Sequence, residues 1–295
     1  MSQPGPALSG SGGAVSQPGP AVSGSGGAVS GPRLDWTAGY QRLAFDVPAP
    51  GLLRVRLHGP GPLGAMDAVM HREVAALWRD LPADGSVRVV LLAGAGPVFC
   101  AGGDVEAERR DRDDVSRRAA MTQQARDIVY GMLDCPLPIV TAARGAAAGA
   151  GLSLLLLADV SIVGRDARLA DGHVRLGIAA GDHAAIVWPL LCGVAKAKYL
   201  LLTGATFTGA DADAMNMVSL AVPDPEVDDR GLQIAGQLAA GPPEAIRATK
   251  QAVNQWVRQA APIFEAALAA EVLGVASPEG REGFDAFAER RTPRW

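Results

Sequence analysis

The sequence predicts an α/β protein on three observations. Apolar, strand-like runs alternate with helical patterns through the middle of the chain. From Ala195 onward the pattern is almost wholly helical, which predicts a separate helical layer or a trimerising arm. With 295 residues, 48% hydrophobic and 20% charged, there is apolar material for one large domain or two small ones.

The elements follow in order. Gln3–Ser16 and Gln17–Ser30 are a tandem duplication that differs only at Leu8 against Val22. Rich in Gly, Pro and Ser, it has no large side chains for a core, so residues 1–34 are expected to be a disordered tail. The folded part starts near Trp36. Arg42–Val47 and Leu52–Gly59 alternate in polarity across "PAPG" and read as a hairpin. Met66, Val69, Met70, Val74, Leu77 and Trp78 fall at helical spacing. Val87–Gly94 is a buried strand, Asp114–Leu133 a polar helix and "LPIVTAARG" another strand. "AGAGLSLLLLAD" is an apolar helix and "VSIVGRD" a further strand. Later helices begin at Pro242 and Pro262, where proline suits a first turn. The expected division is a core over 35–225 and a helical region over 226–295.

Charge and cysteine content exclude several functions. A net charge of −4 gives no basic field for nucleic acid. Cys100, Cys135 and Cys192 are too few and too scattered for a disulfide framework or a zinc site, and Cys100 reads as a small buried filler. No membrane span is expected. The first 30 residues lack the basic start and apolar core of a secretion signal, so a cytoplasmic location is expected.

Two glycine-rich turns raise the question of chemistry. Gly94-x-Gly96 follows a strand as a dinucleotide fingerprint would, but Phe99 replaces the third glycine and Pro97 interrupts the helix start. Treated instead as a pair, "FCAGGD" and "RGAAAGAG" each follow a buried strand and precede a helix. Small residues there let backbone N–H groups approach a ligand closely. Two such donors aimed at one oxygen form an oxyanion hole.

These two turns, with "AKAKYLLLTGATFTGADADAMNMVSLAVPD" and the ending "EGREGFDAFAERRTPRW", resemble the crotonase (enoyl-CoA hydratase/isomerase) superfamily over about residues 40–295. The resemblance implies a ββα-spiral core with a helical C-terminal trimerisation region, assembled as a homotrimer or a dimer of trimers. It implies the backbone N–H groups of Gly103 and Ala150 as the oxyanion hole, stabilising the enolate of an acyl-CoA. It implies no metal and no cofactor beyond the CoA of the substrate.

Family hydratases use two glutamates, and the positions that match them here hold Ser153 and His173. A serine can orient water but cannot act as a base near neutral pH. An imidazole can accept and donate a proton. His173 and Asp182 are therefore the expected acid–base pair, with Ser153 beside them. Asp171 and His183 are weaker candidates. Lys196, Lys198, Arg290 and Arg291 are candidate partners for the CoA phosphates. The run "GIAAGDHAAIVWP" also resembles a subgroup with an "H…GD…WP" pattern that includes 6-oxocamphor hydrolase-like members. That resemblance implies an alternative, a CoA-independent C–C hydrolase of β-diketones, although Ala150 stands where that branch has another histidine. A second alternative is a catalytically degenerate member kept for assembly. The leading expectation is an enoyl-CoA hydratase-like lyase of fatty acid metabolism.

Overall fold

The computed structural model describes residues 34–295, so the duplicated tail, apart from Leu34, lies outside the described residues. Strands β1 (Leu43–Ala49) and β2 (Leu52–Leu57) form the expected antiparallel hairpin. Helix α1 (Ala68–Asp80) follows, then β3 (Val89–Gly94), α2 (Val105–Asp111), α3 (Val115–Asp134), β4 (Ile139–Ala143) and β5 (Ala146–Ala148). Next come α4 (Ala150–Leu157), β6 (Val160–Gly164), β7 (Arg168–Ala170) and α5 (Ala184–Thr203). The chain continues through β8 (Phe207–Thr208), α6 (Gly209–Ala214) and β9 (Leu220–Val222). Four helices complete it: α7 (Val227–Ala240), α8 (Pro243–Arg258), α9 (Ala261–Val275) and α10 (Pro278–Ala288).

The main sheet has six strands in the order β1-β2-β3-β4-β6-β9, parallel from β2 onward. A second sheet, β5-β7-β8, is made of short strands. Period-2 alternation divides the main strands between two cores. Leu53, Val55, Val90 and Leu92 face the larger core, which contains α1, α3, α4 and α5. Leu52, Val89, Leu91, Val140 and Ile162 face α7 on the other side. Helix α7 thus covers the sheet, while α8–α10 extend beyond it.

Several elements differ from the sequence reading. Met66 does not join α1, because Asp67 caps that helix by accepting from the Met70 N–H at 2.8 Å. Met66 instead bridges to Gly103, tying the approach to α1 to the first glycine turn. The stretch after Ala195 holds β8 and β9, which are too short to show a period. Helix α5 alone among the described helices has the length and hydropathy of a membrane span, but it is broken at Gly193 (φ 76°). Its first half buries Ala184, Ile186, Val187 and Trp188 in the core.

Close packing sets the two glycine turns against each other. Cys100, fully buried, bridges to Ala147. A Cβ on Gly102 (φ 94°) would lie 2.9 Å from the Ala148 carbonyl oxygen. A Cβ on Gly151 would lie 2.4 Å from the Cys100 carbonyl oxygen, which is backbone and cannot move aside cheaply. Gly151→Ala is therefore expected to destabilise the protein by about 1–3 kcal/mol in urea unfolding.

Helix α10 reaches back over α2 and the turn that follows β7. Asp285 accepts from Arg109 Nε at 2.8 Å and Arg112 Nη1 at 2.9 Å, and Arg281 pairs with Asp113. A Cβ on Gly283 would meet the Leu176 carbonyl oxygen at 2.2 Å, so α10 also lies against the 3-10 turn His173–Leu176.

Candidate active site

The two turns leave two backbone donors free. Ala150 is the first residue of α4, where an α-helix has no internal acceptor for its N–H. Gly149, its N-cap, supplies no side-chain cap. On the first turn, Met66 donates to the Gly102 carbonyl and Asp104 donates to the Met66 carbonyl, which leaves the Gly103 N–H without an acceptor among the described residues. Both expected oxyanion donors are thus unpaired, on turns in direct contact.

Beside them lies a cluster of imidazoles and carboxylates. Asp182 sits just before α5, and its Oδ1 accepts from the His183 backbone N–H and lies 2.6 Å from His183 Nδ1. Ser153 on α4 donates to Asp182 Oδ2 at 2.8 Å. Fully buried His183 accepts from Trp188 Nε1 on its Nε2 at 3.1 Å, which assigns the ring proton to Nδ1, facing Asp182 and Ser153. Asp182 is therefore held by three donors. Burial opposes its charge, but the neighbouring histidines and these hydrogen bonds hold it well below the usual carboxylate range.

His173 opens the 3-10 turn. Its Nδ1 lies 3.0 Å from both oxygens of Asp171, a residue 1% exposed, and its backbone N–H donates to the same carboxylate. Its Nε2 lies 3.7 Å from Glu271 Oε1 on α9. Burial alone would lower the imidazole pKa. The charges on Asp171, Asp182 and Glu271 override burial and raise it well above its ordinary value. The carboxylates around His173 thus favour the protonated form of the imidazole expected to do acid–base work.

Three site groups escaped the sequence reading. Glu271 is pushed up, first by burial and then by Asp182, Glu108 and Asp171, against the pull of His173. Glu108, in the first turn of α2, is pushed up to about 7 by burial, with Asp104 and Asp182 adding and His173 opposing. His71 on α1 is lowered by burial, with its Nδ1 2.7 Å from Gln124 Oε1. Two signals were present in the sequence: Glu108 follows the first glycine turn by one helical turn, and Glu271 interrupts an apolar helix.

The structure thus brings Ser153, Asp171, His173, Asp182 and His183 together. Donor atoms of Asp171, His173 and Asp182 lie within 4.8 Å of one another, as metal ligands would. Hydrogen bonds within the cluster already engage them. The four expected phosphate contacts do not join this cluster. Lys196 and Lys198 are exposed on α5, with Lys196 over the Tyr199 ring. Arg290 is exposed, and Arg291 pairs with Glu282 and Glu289.

An α/β core in which two abutting glycine turns each leave a backbone N–H unpaired defines the class of protein by its fold and site. Residues 49–295 match the enoyl-CoA hydratase/isomerase family. The chain belongs to that family, the crotonase superfamily. It is 32% identical to the "probable enoyl-CoA hydratase" of Rhodobacter capsulatus, over 87% of this chain and 98% of that one. It is 28% identical to 1,2-epoxyphenylacetyl-CoA isomerase of Escherichia coli, over 83% and 95%. A crystal structure of an enoyl-CoA hydratase/isomerase from Mycobacterium paratuberculosis superposes with a TM-score of 0.78 at 28% identity, covering 83% of this chain and 97% of that one.

Proposed function

We propose that this protein acts on acyl-CoA thioesters through an enolate, held by the N–H groups of Gly103 and Ala150, with His173 as the proton donor. The observation that carries the reading is the pair of free amides on abutting turns beside a half-buried imidazole held by Asp171. As negative charge develops on the thioester oxygen, donors already in place stabilise it without reorganisation. His173 then delivers its Nε2 proton to carbon. Asp171 fixes the ring from behind, and Asp182, kept ionised by Ser153 and His183, sustains the cation. Ser153 and His183 are in this reading positioning residues that do not touch substrate. No metal or redox step is required.

Hydration of a trans-2-enoyl-CoA is the test. Loss of the ultraviolet absorbance of the conjugated thioester on adding enzyme supports the reading. The dense His173–Asp182–Glu271 cluster favours one second reading, C–C hydrolysis of a cyclic β-diketone, with the same hole receiving the leaving enolate. Thermal protection by a CoA thioester and not by a free diketone selects the first, and the reverse selects the second. Protection by neither favours a degenerate member. Exposed Leu190, Val194 and Leu202 on α5, with Val253 and Trp256 on α8, support self-association, as a trimer or paired trimers. Sedimentation would read that state directly.

A further inference from the structure

We propose that Glu108 is the second proton-transfer residue of this site, its carboxylate taking the proton from the carbon next to the carbonyl that Gly103 holds. The inference rests on the enolate reading above and adds the base that reading lacks. His173 is engaged by Asp171 at Nδ1, with its protonated form favoured by the carboxylates around it, and Asp182 is tied by three donors. Asp171 is occupied by His173, while Glu271 Oε2 accepts from the Gly181 N–H at 3.1 Å. Among these carboxylates, Glu108 alone has no hydrogen bond to its side chain.

Its position is set by the oxyanion turn itself. A Cβ on Gly103 would stand 2.2 Å from Glu108 Oε1, so the carboxyl occupies the space beside the donor residue. A carbonyl oxygen held about 2.9 Å from the Gly103 nitrogen has its α-carbon only two bonds away, and the proposal places that carbon on the Glu108 side of the turn. Helix α2 is not free to carry the group elsewhere. Asp104 caps it by accepting from Ala107 N–H at 3.0 Å, and Asp285 of α10 holds Arg109 and Arg112.

The step balances within the site. The α-carbon C–H bond breaks and its electron pair forms the C=C of the enolate. The carbonyl π pair moves to the oxygen held by the two amides, and the proton goes to the Glu108 carboxylate. Returning that proton reverses the step. With a 3-enoyl thioester the electron pair extends to the γ-carbon, and delivery of the His173 Nε2 proton there gives the 2-enoyl isomer. The proton on Glu108 then restores that of His173 through solvent. The groups acting on Glu108 are Asp104 at the cap of α2, His173 on the 3-10 turn, Asp182 before α5 and Glu271 on α9. With the carboxyl held near 7, both protonation states are populated at neutral pH.

The experiment is exchange of the α-protons of butyryl-CoA in D2O, followed by proton NMR with the full-length protein. Wild type is expected to exchange them, at a rate that climbs through about pH 7. Glu108→Gln should slow exchange by about 10²-fold or more and lose that pH limb, while butyryl-CoA still protects it from thermal unfolding. Glu108→Asp, which draws the carboxylate back, should slow exchange by about tenfold or more. Glu106→Gln, on the exposed side of α2, should exchange as wild type does. Wild-type exchange in Glu108→Gln or in Glu108→Asp would overturn the role of Glu108 and leave the enolate reading standing. Absence of exchange in the wild type itself would overturn both.

Discussion

His173→Gln is expected to lower kcat/KM by about 10²–10⁴-fold while the protein still folds. Glutamine keeps a polar group near Asp171 but cannot carry the charge or deliver a proton. The substitution should also alter stability in a pH-dependent way. The folded imidazole pKa lies well above its ordinary value. Its stabilising contribution is therefore fully present below the unfolded value of about 6.5 and is lost as pH rises through the folded one. Melting curves should show the gap between wild type and variant widest in mild acid and closing in alkali. Asp182 contributes with the opposite sign. Its folded pKa is depressed, so its share is present above an unfolded value of about 3.9 and is lost as pH falls through the folded one. A gap that grew with pH, or unchanged turnover, would remove His173 from the chemistry.

Ala150→Pro should lower kcat by about 10²–10³-fold, the range found when one oxyanion donor is deleted elsewhere. Proline removes the N–H and nothing else of consequence, because a first helical residue has no internal acceptor to lose. The melting temperature should move little, and thioester binding, read by thermal protection, should fall much less than kcat. Full activity in a folded Ala150→Pro protein would mean that α4 contributes no donor to the reacting oxygen.

The larger fold was legible wherever a strand was long enough to show its pattern. β3 and β4 are near-continuous apolar runs because both faces of the parallel sheet are covered there, while β2 alternates through Arg54 and Arg56. β5 was not legible, since three alanines carry no strand propensity and pair only because Cys100 and β7 lie alongside. At the site, residues close in sequence were readable: Asp171, His173, Asp182 and His183 lie within 13 positions. Glu271 reaches His173 only through the packing of α9, which no local pattern encodes. The upward pull on the His173 pKa also escaped, because Glu271 from α9 adds its charge to those of Asp171 and Asp182 only in the folded chain.

The clasp of α10 has a consequence for the order of events in biosynthesis. Translation runs from the N-terminus, so α2 and the His173 turn emerge long before the segment that buttresses them. A nascent chain stalled ahead of Ser277 would carry the sheet and both glycine turns, yet the arginines at 109 and 112 would have no Asp285 to meet. The buttressing of α2 and of the His173 turn is in this sense a late event, postponed until a distant downstream helix docks over surfaces made much earlier.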